Sequence, residues 1–437
     1  MTRWRATRWR APVQQEPSRG RRRRSWVRCR ERWNTPEVNF GRPTRRRIGV
    51  ALTAGLLLAA CSGGSDDAGP EDPTTTTAAT TTTVALDNDL RLNQIQVVGT
   101  HNSFHVAAPP EERALLEALA PGQVAERTYT HPSLTTQLDE EKVRQLELDV
   151  FADAKGGLYA DPALRRQAGL PPLIDEIPEL AEPGTKVLHE QDVDYHSVCP
   201  SLVSCLTELK KWSDANPDHV PVAVNIQFKD GPLIFAVPDQ AKPEKWTTAA
   251  MDALDTEITS VFPAERIVTP DDVRGDRATL EEAVLDDGWP TLGESRGKVL
   301  FLMINAEPYR SLYLAGHPDL NGRVLFTNAA PGQPDAAYLG IDDPVANNEK
   351  IADLVAKNYV VRTRADEPDV EARTGETARR DAALASGAQW VSTDYPGPRG
   401  AKDQYGTDYL VELPGSVAAR CNPVTAPDDC DDTTVEP

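Results

Sequence analysis

From residue 93 onward, short apolar runs alternate with amphipathic segments. The runs are IQVVG (95–99), LELDVF (146–151), KVLHE (186–190), VAVNIQF (222–228), KVLFLMI (298–304), RVLFT (323–327), YVVRTR (359–364) and QWVST (389–393). Most are apolar at consecutive rather than alternate positions, as strands covered on both faces must be. Between them lie segments of helical character at 133–145, 201–216, 245–262, 347–358 and 375–387. Leu202, Leu206 and Leu209 recur at helical spacing, as do Met251, Leu254 and Ile258. Asn216-Pro217 and Gly387 are helix stops. Eight strands alternating with helices predict an α/β fold, a (β/α)8 TIM barrel. An open doubly wound sheet is the alternative, but no glycine fingerprint follows the first strand.

In such a barrel, chemistry gathers where the strands end at their C-terminal side. His101 and Asn102 follow the first run, and Glu147 and Asp149 occupy alternate positions of the second, so both point to one face. Two charges there are costly unless they bind something. His189 closes the third run and Gln227 the fourth, with Lys229 and Asp230 just beyond. Arg362 and Arg364 end the seventh, and Asp394-Tyr395 follow the eighth. Arg362, Arg364 and Lys229 are candidate phosphate contacts, and Tyr395 a candidate surface for a sugar ring. His105, His131, His196, His219 and His317 are expected on loops or at the surface.

Charge divides the chain. Of 47 basic and 67 acidic side chains, 16 Arg and 3 Glu precede residue 61, which leaves 31 and 64 for the rest, a net charge of −33. A body that acidic does not hold nucleic acid or an anionic membrane by simple attraction. Residues 44–63 read TRRRIGVALTAGLLLAACSG, a basic stretch and an apolar core too short to span a bilayer, which fits an export signal. Leu58-Ala59-Ala60-Cys61 resembles the box of bacterial lipoprotein signals, which implies lipid on Cys61. A plain secretory signal is the alternative, and Arg45-Arg46 also fits a twin-arginine route. Eleven Arg lie before residue 31, which is foreign to a signal peptide and places the expected start downstream, near Val38. Residues 62–89, rich in Thr, Ser, Gly, Asp and Pro, read as a tether. The domain expectation is therefore 1–61 extension and signal, 62–89 tether, 90–415 barrel, and 416–437 an acidic tail. Cys199, Cys205, Cys421 and Cys430 suit two local disulfides in an exported protein, with a four-cysteine metal site as the rival.

The segments GTHNSFH, LELDVFAD, GTKVLHEQDVDYHSVCPSLVSCLTELKKWSDANPDHVPVAVNIQFKD, GWPTLGESRGKVLFLM and GAQWVSTDYP, in that order, resemble the phosphatidylinositol-specific phospholipase C superfamily, in its calcium-dependent bacterial and fungal branch. The resemblance runs from about Leu90 to Leu413 and implies a barrel of the PLC-like phosphodiesterase type. It implies His101 and His189 as the acid–base pair, and Asn102, Glu147 and Asp149 as ligands of a calcium ion. Gln227 stands where calcium-dependent relatives often carry a glutamate, a loss of one negative charge that weakens a calcium site. The expected substrate is an inositol phospholipid or a related phosphodiester, met by a lipid-anchored or secreted monomer outside the cell. A glycerophosphodiesterase or sphingomyelinase D type barrel is the nearest rival, although His101 is followed by Asn-Ser and not Arg-Gly. A surface binding protein without turnover is the other.

Overall fold

The computed structural model describes residues 87–436 apart from 234, 287 and 368. The expectations for the extension, the signal with Cys61, and the tether up to residue 86 fall outside the described residues. Among the described residues ten strands occur: β1 Ile95–Thr100, β2 Gln145–Phe151, β3 Lys186–Val187, β4 Val222–Phe228, β5 Val299–Met303, β6 Leu325–Phe326, β7 Tyr338–Gly340, β8 Val360–Arg364, β9 Trp390–Thr393 and β10 Ala419–Cys421. Eight form a parallel sheet in the order β6-β5-β4-β2-β1-β9-β8-β7. A parallel bridge between Asn328 and Tyr338 joins its two ends, so the sheet closes into the expected (β/α)8 barrel. Its strands are nearly all buried, because helices cover the outside while side chains fill the inside.

Two expectations about individual strands are corrected. The run at 186–190 is not a barrel strand: β3 is two residues long and pairs antiparallel with the end of β2. Its apolar side chains, Val187 and Leu188, are buried, and the Val187 amide donates to the Pro200 carbonyl in the loop closed by the Cys199–Cys205 disulfide. β2 pairs directly with β4, and β7, three residues between turn-rich flanks, enters the wall between β6 and β8, so the total of eight survives with different membership.

The helices behave as their patterns require. Leu202–Ala215 starts at Ser201, whose hydroxyl accepts the Ser204 amide, and buries Leu202, Leu206 and Leu209. Thr248–Val261 starts at Thr247 and buries Met251, Leu254 and Ile258. Truncating Leu206 or Leu254 to Ala would cost about 2–5 kcal/mol through lost burial and the cavity left. Inside the barrel, Gly99 is required by close approach: a Cβ there would meet Gln145 Oε1 at 2.2 Å. Among the described residues no helix is long and apolar enough to cross a membrane.

Residues 416–436 are built into the N-terminal end of the barrel. β10 pairs antiparallel with β1, with Ile95 opposite Cys421, and Cys421 is bonded to Cys430. Glu436 accepts from Arg144 Nε at 2.8 and 2.9 Å and from the Val220 amide at 2.9 Å. A cavity of about 710 Å³ opens at this floor, lined by Arg144, Trp212, His219 and Glu436. It lies beneath the starts of β2 and β4, away from the polar rim.

Candidate active site

The chain leaves β1 through Thr100 and turns sharply at Asn102, whose φ of 44° is one that asparagine tolerates better than most residues. The turn is fastened on several sides. Thr100 Oγ1 bonds Gln137 at 2.7 Å, Gln137 Nε2 donates to the Ser103 carbonyl at 2.7 Å, and Ser103 Oγ accepts the Glu147 amide at 2.8 Å. The His101 carbonyl accepts from His131 Nε2 at 3.0 Å. His-Asn-Ser is thus both a turn and a rigid mount, locked to the neighbouring strand β2.

His101 Nδ1 lies 2.8 Å from Asp394 Oδ1, and its Nε2 lies 3.6 Å from Glu147 Oε1. Burial, reinforced by Arg364, pushes its pKa well below the ordinary histidine value, so the ring is neutral at pH 7. With the Nδ1 proton directed at Asp394, the lone pair sits on Nε2, the disposition of a general base. Burial raises Asp366 and Asp394, while Arg364, 3.2 Å from Asp394 Oδ2 and 3.6 Å from Asp366 Oδ1, opposes it.

His189, in the loop after β3, is partly exposed, and its Nδ1 lies 2.8 Å from Asp194 Oδ2. The same carboxylate meets His105 Nε2 at 2.9 and 3.1 Å and Arg127 Nε at 3.6 Å. Burial opposes the Asp194 charge, but His105 and His189 outweigh it and hold its pKa far below the usual carboxylate range. His105 is pulled the other way: burial opposes its proton, and Asp194 overcomes this and raises it. The rings of His101, Tyr129, His105 and His189 follow one another across the rim at centroid spacings of 6.2, 4.3 and 5.9 Å.

The expected cation ligands are brought to the same rim. Strand register places Glu147 beside Asn225 and Asp149 beside Gln227, so all four share the barrel's inner face. Asn102 donates from Nδ2 to Tyr129 at 2.8 Å, which leaves its buried Oδ1 without a partner. Both oxygens of fully buried Asp149 also lack a hydrogen bond; Lys229 Nζ stands 3.0 Å from Oδ2 but is not aligned as a donor. A carbonyl and a carboxylate, buried and unsatisfied, are oxygen donors of the kind that hold Ca²⁺. The residues therefore fit the ion. Glu147 keeps Oε1 toward His101, while its Oε2 accepts from Arg362 at 2.6 Å.

Other expectations change. Tyr395 cannot stack on a sugar: it is fully buried, packed against Tyr405 and Tyr409, with its hydroxyl on Asp369 at 3.0 Å. Arg362 is buried between Glu147 and Asp342, and Arg364 between Asp394 and Asp366, so both serve first as counter-ions of carboxylates. His105, His131 and His219 lie on loops as expected, but they are buried. Asp194 is not singled out in the sequence, and His105 is read there as a loop or surface residue, not as part of the site. The one available signal for His105 is its apolar setting, Phe104 and Val106, which marks a ring facing inward. Asn225 was also unmarked: it is buried beside Glu147 with neither amide atom bonded.

The family described as phosphoinositide phospholipase C, Ca²⁺-dependent, matches residues 90–423. The chain belongs to that family. As a member of the calcium-dependent phosphoinositide phospholipase C family it is a phosphodiesterase, and its two histidines and its oxygen donors lie within the matched residues. Among solved structures it is similar to a calcium-dependent phosphoinositol-specific phospholipase C from Pseudomonas sp, at 16% identity over 77% of this chain and 96% of that one, with a TM-score of 0.47. It is also similar to a Ca²⁺-dependent phosphatidylinositol-specific phospholipase C from Streptomyces antibioticus, at 18% identity over 72% and 98%, with a TM-score of 0.46. A glycerophosphoryl diester phosphodiesterase from Parabacteroides distasonis follows at 11% identity over 72% and 87%, with a TM-score of 0.26. No curated protein matches the sequence.

Proposed function

We propose that the protein cleaves the phosphodiester of phosphatidylinositol-type lipids by acid–base catalysis between His101 and His189, assisted by calcium. The observation that carries this reading is the matched pair of histidine–carboxylate contacts, His101 on Asp394 and His189 on Asp194, flanking unsatisfied oxygen donors at one rim. His101, neutral and with Nε2 free, takes the proton of the attacking inositol 2-hydroxyl. His189, held through Nδ1 by Asp194, returns a proton from its other nitrogen to the leaving diacylglycerol oxygen. The phosphorus–oxygen bond to the 2-hydroxyl forms as the bond to diacylglycerol breaks, giving a cyclic phosphate. Asn102, Glu147, Asp149 and Gln227 would hold calcium, which neutralises phosphoryl charge and lowers the pKa of the hydroxyl. The related protein from Pseudomonas sp has been seen with myoinositol, in keeping with an inositol head group here.

The test is head-group release from phosphatidylinositol, phosphatidylcholine, sphingomyelin and glycerophosphodiesters by the purified protein, with and without a calcium chelator. Release of inositol phosphate with calcium, and little from the others, is the expected result. Release of glycerol phosphate alone would move the protein to the glycerophosphodiesterase type, and no release from any would leave a binding protein. The Leu-Ala-Ala-Cys box supports a location outside the cell membrane, anchored through lipid on Cys61. Loss of the protein from the membrane fraction on Cys61→Ser is the corresponding check.

A further inference from the structure

The inner rim already holds cations against its carboxylates before any divalent ion enters. Of the candidate ligands Asn102, Glu147, Asp149 and Gln227, two carry negative charge. Each of these has a cation beside it, Arg362, shared with Asp342, on Glu147 at 2.6 Å and Lys229 on Asp149 at 3.0 Å. The two cations differ in freedom. Arg362 is 3% exposed and clasped between Glu147 and Asp342, whereas the Lys229 side chain is 26% exposed at the end of β4. Asp149 beneath it is fully buried, and without a positive neighbour it would be an uncompensated buried charge.

We propose that Lys229 is an internal competitor of the divalent cation, holding Asp149 when no metal is bound and withdrawing toward solvent when calcium binds. The proposal rests on the calcium reading given above. Its physical basis is charge: an ammonium 3.0 Å from a carboxylate oxygen stands close beside any cation that the same carboxylate coordinates at about 2.3–2.6 Å, and the two repel. Even displaced by a few ångström, the ammonium repels a doubly charged ion in a partly buried setting. Gln227 deepens the effect, since its amide adds no charge to offset Lys229. Lys229 thereby sets how much calcium is needed, and it keeps the rim intact when calcium is scarce.

The experiment is a calorimetric calcium titration of the metal-stripped protein, wild type against Lys229→Met and Lys229→Arg, with melting temperatures taken in chelator and in calcium. Removing one positive charge beside the ion should tighten calcium binding in Lys229→Met by about tenfold or more, while Lys229→Arg stays within about threefold of wild type. In chelator the Met variant should melt lower than wild type, and calcium should raise its melting temperature by more. A purely structural lysine would lower the melting temperature in chelator and leave the calcium affinity where it was; that result overturns the proposal. If the Met variant does not fold in chelator, Lys229→Gln replaces it in the same titration. If neither wild type nor the neutral variant binds calcium, the proposal and calcium assistance both fall. Inositol phosphate release in chelator would then keep the phospholipase reading standing.

Discussion

His105 Nε2 reaches both oxygens of Asp194, at 2.9 and 3.1 Å, and so braces the carboxylate that holds His189. The second histidine of the proposed pair is therefore positioned through a carboxylate that is itself fixed by a buried ring stacked on Tyr129. Asp194→Asn should lower kcat on the order of 10²-fold or more, as expected when a catalytic imidazole loses the carboxylate that sets its tautomer, with KM little changed. His105→Gln should lower kcat less, because Arg127 still faces Asp194. A fall in KM-dependent rate alone, with kcat intact, would refute the positioning role.

His101→Ala and His189→Ala should each reduce turnover by roughly 10²-fold or more, the ordinary cost of a lost acid or base. Calcium affinity, read by titration, should stay near wild type in His189→Ala. Full activity of His101→Ala on every phosphodiester tested would reduce the His-Asn-Ser segment to a turn.

Asn102→Ala and Asp149→Asn should weaken calcium binding and raise the calcium concentration for half-maximal rate, since each removes an oxygen donor or its charge. Gln227→Glu should do the reverse, shifting the activation curve to lower calcium by adding a carboxylate beside Asp149. An unmoved curve in Gln227→Glu would remove Gln227 from the ligand set.

His219 makes stability depend on pH at the opposite end of the barrel. Its ring is buried between Ser213 Oγ and the Val220 carbonyl, both at 2.6 Å, and burial pushes its pKa down to about 4. The unfolded chain, with a value near 6.5, binds the proton that the folded chain refuses, so stability is full above about pH 6.5 and is lost as pH falls toward 4. The loss amounts to about 3 kcal/mol over that window. Asp255, raised to about 6 by burial, slopes the other way but is common to both proteins in a comparison. Denaturant unfolding of wild type and His219→Gln should show a stability gap at pH 7 that closes by about this amount at pH 4. A constant gap would contradict the assignment.

The sequence showed the barrel wherever a strand was long and lined with Val, Leu and Ile, as at 95–100, 145–151, 222–228 and 299–303. It misled where burial did not mean wall. Val187 and Leu188 are as apolar as any barrel residue, yet their short strand pairs off the wall and Leu188 is buried in a separate cluster with Leu116, Tyr159 and Leu164. Tyr338–Gly340 has too few residues to show a period. The polar rim was legible because His101, Asn102, Glu147 and Asp149 interrupt apolar runs where charge is costly. Asp194 was not, because it lies in a loop already rich in polar residues, beside Asp192, and only the fold brings it under two histidines that are 84 residues apart in the chain. Tyr395 was misjudged because an aromatic residue after a strand reads alike whether its ring turns out to a ligand or in to Tyr409.

The pairing of β1 with β9 and β10 fixes a schedule for the molecule's assembly. Ile95 emerges early in synthesis, but its partner Cys421 follows more than 300 residues later, and Trp390, opposite Val97, arrives only shortly before it. Until then the edge of β1 that takes β9, and the start of the opposite edge that takes β10, are open templates for foreign strands. Contacts this distant also fold slowly, because the loop must close before any of them forms. A protein carried across a membrane as a thread, N-terminus leading, would expose those edges for the whole transit.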